Sequence, residues 1–248
     1  MIVLKSPVEI EMMREAGRVT AVALRLVGEA VRPGITTGEL DAIAEEYIRS
    51  QGAKPAFLGY HGFPATLCTS VNEQVVHGIP GKRILNEGDI LSVDCGAVVD
   101  GFFGDSAMTF PVGMVSAEAR ALMDATQTSL EAGIAKMRPN MRLYDIGAAV
   151  QQVAEAAGFS VVREYVGHGI GRAMHEDPQV PNFGQAGRGA QLKPGMVFAV
   201  EPMVNAGGFE VRSLDDGWTV VTADGSLSAH FEHTIAVTED GPVILTVE

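Results

Sequence analysis

Cysteine is nearly absent: the chain of 248 residues has two, Cys68 and Cys95. Neither has a CxxC or Cys/His spacing, which argues against a thiolate zinc site, and two thiols make no disulfide framework. Positive charge is scarce as well, with 18 Lys and Arg against 31 Asp and Glu and a formal net charge of −13. Such a chain is repelled by phosphate backbones and anionic lipid, so neither nucleic acid nor a membrane surface is expected as a direct partner. No apolar run reaches the roughly 20 residues that a bilayer span needs. Met1 to Glu15 alternates charged and apolar residues, unlike a signal peptide. No low-complexity stretch or Ser/Gly linker breaks the chain. These absences together lead to the expectation of a reducing, cytoplasmic compartment.

What is present is a large apolar fraction, 46%, enough for one large core or two compact halves. Ser6-Pro7-Val8-Glu9 reads as a helix start, with a Ser cap, Pro at the first helical position and Glu three residues after the cap. Apolar residues at helical spacing follow from Ile10 to Val31, until Pro33-Gly34 stops the helix. Thr37 is expected to cap a second helix that ends near Gly52. The phrase returns about a hundred residues later. Ser116 starts a helix that stops at Pro139-Asn140, and another ends near Gly158. Pro33 maps to Pro139 and Gly52 to Gly158, both at an offset of 106. The strand entry from Leu85 to Asp94 resembles that from Leu192 to Glu201, at an offset of 107. A long-period repeat of this kind bears on the fold. The expectation is an α+β fold made of one domain, residues 1–248, with half-repeats of about 7–110 and 116–247. Strands lie in the middle of each half with helices covering one side. Two related halves commonly place a pocket at their shared interface.

The acids inside apolar strands carry the chemistry. Asp100-Gly101 is a two-residue hairpin signal. With that turn, Val99 pairs with Phe102 and Gly96 with Asp105, and Asp94 shares a face with Asp105 as its diagonal neighbour. The two backbones are then about 7 Å apart, within side-chain reach of a common ion. Two acids on one face of an apolar hairpin repel each other and are costly to bury without a positive charge between them. Glu201 ends the apolar strand from Met196 and by the repeat takes the place of Asp94. Glu232 lies in the apolar strand 229–237. His168 sits between Gly167 and Gly169, whose lack of side chains lets backbone or ligand approach closely, and His175 follows seven residues on. Four carboxylates and one imidazole suit a pair of divalent ions, and four acids balance two dications. Oxygen-rich ligands favour manganese, iron, cobalt or magnesium-like ions over a thiolate zinc site.

At this point the residues resemble a known family. Gly167-His168-Gly169-Ile170-Gly171 with His175-Glu176 is similar to the signature of type I methionine aminopeptidases, and the stretch from Ser70 to Pro80, containing His77, is similar to a second one. Asp94 and Asp105, Glu201-Pro202 and Glu232-His233-Thr234 match the family's acidic ligands. The resemblance runs from about Glu11 to Val247. It implies the pita-bread fold, with a pseudo-twofold axis relating the halves, a central antiparallel sheet and covering helices. It implies that Asp105 and Glu232 bridge two divalent ions (cobalt, manganese, iron or similar), that Asp94 completes one site, and that His168 and Glu201 complete the other. A hydroxide between the ions would attack the first peptide bond, with Glu201 relaying a proton, His175 stabilising the oxyanion and His77 orienting the peptide. The methionine pocket would be lined by Phe57, Tyr60, Phe63, Cys68, Met174 and Trp218, with His61 near its entrance.

The activity so implied is removal of the initiator methionine from nascent proteins whose second residue is small. Nascent N-termini, and the ribosome that presents them, are the implied partners, and a monomer of the compact bacterial form is expected. The chain departs from the family's habits at Phe57, Met174, Phe183 and His230, which touch the pocket rim and the surroundings of the ligands. Two other readings share the scaffold. Xaa-Pro aminopeptidases and dipeptidases keep the same five ligands but usually carry a large N-terminal domain. Non-catalytic binding proteins on this fold typically lose several ligands.

Overall fold

The computed structural model describes residues 2–248. Helix α1 (Pro7–Ala30) starts as the sequence reads: Ser6 accepts from the Glu9 N–H, and the Glu9 carboxylate returns to the Ser6 backbone, a reciprocal cap contributing about 1 kcal/mol. Helix α2 (Thr37–Ser50) corrects one expectation. Its cap is Thr36, not Thr37. Only Thr36 has a Glu three residues on to complete the box, and the Thr37 hydroxyl instead meets the backbone of Gly81. Strands β1 (Lys54–Pro55), β2 (Leu67–Val71), β3 (Gln74–Val76), β4 (Ile90–Val99) and β5 (Phe102–Pro111) follow, with a short 3₁₀ turn at Tyr60–Gly62. The second half brings α3 (Ala117–Ile134), α4 (Leu143–Ala156), β6 (Ser160–Val161), β7 (Gly167–Gly169), β8 (Glu176–Val180), β9 (Val197–Val200) and β10 (Met203–Asn205). It closes with β11 (Val211–Ser213), β12 (Val220–Thr222), β13 (Ser228–His230), β14 (His233–Thr238) and β15 (Gly241–Ile244).

The repeat seen in the sequence is carried by the elements. Helices α2 and α4 both have 14 residues, and their starts at 37 and 143 differ by 106. Bridges Thr36↔Ile84 and Arg142↔Gln191 tie the entry of each helix to the approach of the strand that follows. Gly34 and Asn140, Gly52 and Gly158, and Gly88 and Gly195 share positive φ in pairs. Strands β4 and β9, starting at 90 and 197, stand 107 apart.

All the paired strands are antiparallel. β4 is flanked by β1, β2 and β5, and a second sheet runs β15-β14-β9-β7-β8. The β4–β5 hairpin has the expected register, with Val99 opposite Phe102 and Gly96 opposite Asp105. Asp100 and Gly101 both have positive φ, as a type I′ turn requires. The run 229–237, read as one strand, is two. β13 pairs with β10 and β14 with β9. The break at Phe231-Glu232 faces Glu201-Pro202, where Pro202 has no N–H to continue the ladder. Freed from that ladder, the Glu232 backbone pairs with Ala107 of β5. Thr234 reinforces the seam: its hydroxyl accepts from the Asp105 N–H at 3.0 Å and donates to the Asp105 carbonyl at 2.8 Å. The two sheets are thus stitched together beside two of the acids.

Helix α1 packs on β4 and β5, and α2 packs on α1, β1 and β2, in a core that includes Leu24, Leu40, Leu91 and Val93, while α3 and α4 cover the second half around Leu122, Ile146 and Phe198. A third apolar cluster joins Phe102, Val197 and Ala236, from strands of both halves, to Phe57, Phe63, Cys68 and Met174. Among the described residues, no helix is long and apolar enough to cross a membrane.

Candidate metal centre and its cavity

A cavity of about 250 Å³ opens at this junction, and all five sequence-read ligands line it: Asp94, Asp105, His168, Glu201 and Glu232. Each is placed by a different strand feature. Asp94 and Asp105 are diagonal neighbours across β4–β5, Glu201 follows β9 directly, Glu232 sits in the break before β14, and His168 is the middle residue of β7. The glycines around His168 are explained by neighbouring backbone. A side chain at Gly167 would stand 2.3 Å from the Ala199 carbonyl oxygen, and one at Gly169 would stand 2.2 Å from that of Asp177. β7 is therefore clamped between β8 and β9, and His168 has one direction left, into the cavity. Its Nδ1 lies 2.9 Å from the Gly169 carbonyl, a contact that fits a neutral ring with Nε2 free as a ligand.

The distances are those of a shared site. His168 Nε2 lies 3.4 Å from Glu201 Oε1 and 3.8 Å from Asp105 Oδ2. One donor atom each from Asp105, His168 and Glu232 lie within 4.8 Å of one another, and the same holds for Glu201, His230 and Glu232. Burial pushes the carboxyl groups of Asp94, Glu201 and Glu232 well above the usual carboxylate range, with neighbouring carboxylates adding to it. Burial raises Asp105 to about 7. Burial also depresses His168 to about 4, leaving a neutral ring at physiological pH. Asp94 Oδ1, Asp105 Oδ1, Glu232 Oε1 and His230 Nε2 are buried without a hydrogen-bond partner. Buried polar atoms normally have partners, and three of these orphans are carboxylate oxygens of residues lining one cavity, which fits a bound cation. Carboxylates with imidazole are the donor set of hard to borderline divalent ions.

The other expected residues share the same cavity: Phe57, Tyr60, His61, Phe63, Cys68, His77, Met174, His175 and Trp218. Phe57, Phe63, Cys68 and Met174 are buried, and Phe63 meets Trp218 edge to face at 5.0 Å, so one side of the cavity is an apolar chamber. The Tyr60 hydroxyl lies 2.7 Å from His175 Nδ1, and the His175 ring is 4.3 Å from that of His168. Burial, then the nearby His61, lowers the His175 pKa. His77 holds a left-handed backbone with φ 61°, packs edge-on against Tyr165 at 5.6 Å, and is pushed by burial to about 4.

Two contributors escape a reading of the sequence for ligands. His230 lies within reach of the acids as a second imidazole; its place two residues before Glu232 was the available signal. Lys5 is buried and its Nζ meets Glu176 Oε2 at 2.5 Å. Glu176 Oε1 accepts from the backbone N–H groups of Arg172 and Ala173, fixing the turn that carries Met174 and His175. Residues 171 positions apart in sequence give no local hint of that pairing.

Residues 11–239 match the model of metallopeptidase family M24. The chain is 58% identical to the methionine aminopeptidase of Clostridium perfringens, covering 100% of this chain and 99% of that one. It is 54% identical to methionine aminopeptidase 1 of Bacillus subtilis, covering 99% of each. The crystal structure of methionine aminopeptidase from Thermotoga maritima superposes with a TM-score of 0.99 at 48% identity, over the full length of both chains. The Xaa-Pro dipeptidase of Bacillus anthracis, at 22% identity and a TM-score of 0.78, shares the fold. This chain covers 62% of that larger protein.

Proposed function

The chain belongs to metallopeptidase family M24, and we propose how its residues carry out the reaction named for its close relatives. The activity is that of an aminopeptidase releasing N-terminal methionine. The observation that carries the residue assignments is the junction itself. Five ligand-type side chains converge at one end of a cavity whose other wall is apolar.

Asp94, Asp105, His168, Glu201 and Glu232 would hold the divalent ions, which we take to be two. Bound there, such ions supply an ionised water at neutral pH and Lewis-acid polarisation of the scissile carbonyl. The remaining work belongs to the protein. Phe57, Phe63, Cys68, Met174 and Trp218 take up the methionine side chain, whose thioether packs well on aromatic and sulfur groups. Closing that chamber over the side chain fixes the first peptide bond beside the acids, which is the main contribution positioning makes. With Tyr60 donating to His175 Nδ1, the neutral His175 ring carries its proton on Nε2 and donates it toward the carbonyl oxygen as that oxygen gains charge. His77, immobilised between Tyr165 and Trp218, orients the peptide. Glu201, the carboxylate next to His168, takes the proton from the attacking water and passes it to the leaving amine.

The physiological substrates in this reading are nascent cytoplasmic chains with a small second residue, met as they leave the ribosome. Metal-loaded protein given Met-Ala-Ser and Ala-Pro peptides tests it. Free methionine from the first and no cleavage of the second is the expected outcome. The reverse pattern would transfer the chain to the proline-directed branch of the fold.

A further inference from the structure

We propose that His230 is a positioning residue of this centre: its Nε2–H holds the outer carboxylate oxygen of Glu201, with Glu232 as second acceptor. The inference rests on the metal-centre reading above and assigns a role to a side chain that reading leaves idle. His230 is 1% exposed, and its Nε2 is buried with no hydrogen-bond partner. It ends β13, two residues before Glu232, and its Nε2 lies 3.8 Å from Glu201 Oε2 and 4.0 Å from Glu232 Oε2. Glu201 is therefore flanked by two imidazoles, one at each oxygen: Oε1 stands 3.4 Å from His168 Nε2 and Oε2 stands 3.8 Å from His230 Nε2.

The two sides are not equivalent. His168 has its Nδ1 engaged with a backbone carbonyl, so its Nε2 is the free lone pair, and with Oε1 it forms a pair spaced like two ligands of one ion at bonds of about 2.1 Å. Glu201 Oε2 is then the oxygen left over. Metal-binding carboxylates are themselves hydrogen-bonded, and those outer partners set ligand orientation. His230 Nε2 faces that oxygen. A bare lone pair on Nε2 would confront two carboxylate oxygens; a neutral imidazole has one N–H, and placing it there turns repulsion into attraction. At 3.8 Å the pair stands beyond hydrogen-bond length, so closing the contact takes a small shift of either side chain. A nitrogen carrying a proton is not a ligand, so His230 adds no coordination bond. It keeps the Glu201 carboxylate from swinging away from His168.

The test combines two substitutions with one measurement on unaltered protein. Calorimetric titration of metal-free protein with manganese gives the affinity. His230→Leu, which removes the donor, is expected to weaken it by roughly 10- to 100-fold and to alter the visible absorption of the cobalt-loaded form. His230→Gln, which keeps an N–H donor, is expected to restore most of both. Native affinity and spectrum in His230→Leu, or a His230→Gln protein as weak as His230→Leu, would overturn the assignment. Should His230→Leu not fold, nitrogen NMR of histidine-labelled, zinc-loaded wild-type protein decides alone. A protonated, pyrrole-type Nε2 on His230 supports the assignment, and a metal-bound or pyridine-type Nε2 defeats it. If unaltered protein takes up no divalent ion, the metal-centre reading and this assignment fall together; normal uptake with an indifferent His230→Leu removes His230 alone.

Discussion

Single side chains in this cavity are chosen against their own comfort. Asp105 and Glu232 are 4% and 2% exposed, and buried charges are tolerated only when paired or bound to a cation. Asp105→Asn keeps the shape and removes a charge from the proposed metal centre. An ion contributes several kcal/mol to the transition state, and each tenfold in rate is about 1.4 kcal/mol, so turnover of Met-Ala-Ser should fall by roughly 10³-fold or more. Metal content measured on the same sample should fall with it; wild-type turnover would remove Asp105 from the centre. His175→Ala addresses a different function. It should lower kcat by roughly 10²- to 10³-fold with little change in KM or metal content, because the ring is assigned to the oxyanion. A raised KM at unchanged kcat would make it a binding residue. At this scale the sequence is most legible where a residue contradicts its surroundings. Acids in apolar strands and a histidine between glycines stand out, whereas His230 and Lys5 are explained only by partners that the fold brings to them.

Elements place those side chains, and their boundaries follow local chemistry the sequence displays. The capping box at Ser6 and the Asp100-Gly101 turn fix a helix start and a strand register without tertiary help, and the register is what sets Asp94 diagonal to Asp105. The 229–237 run reads as one strand because its break has no local signal: it is imposed by Pro202 on the facing strand. β7 is the element most constrained by its neighbours. With Gly169 pressed against the Asp177 backbone, Gly169→Ala has no flexible side chain to push aside, so β7 must move away from β8. Overpacking of this kind costs about 1–3 kcal/mol, and more against backbone. In a domain of this size that corresponds to a fall in Tm of about 2–12 °C, and the displaced His168 should weaken manganese binding in parallel. A thermal melt within about 2 °C of wild type would show that the strand spacing is not what requires glycine there.

Across the whole molecule, two sets of buried groups make stability depend on pH, and one of them is the carboxylate set of the proposed metal centre. Histidines 77, 168 and 233 are depressed to about 4 and His230 to about 3, each by burial. Between those values and the ordinary 6.5, the unfolded chain binds more protons than the folded one, so these groups make stability rise with pH. The four carboxylates act oppositely: raised by burial, with Asp105 near 7 and the others well above their usual range, they keep protons in the folded state that the unfolded chain has released. Their contribution falls as pH rises. Below about 6.5 the two sets oppose each other; as pH rises past it the unfolded histidines finish losing their protons, and the carboxylates increasingly act alone. Chelator-treated protein should therefore lose several degrees of Tm, on the order of 5 °C, between about pH 6.5 and 8. Protein loaded with manganese should not, because the ions replace the protons and their stabilisation grows as the ligands ionise. The gap between the two melting curves, followed across that window, should widen with pH. A gap that is constant or narrows would mean that the carboxylates are not the groups through which cation binding stabilises the fold.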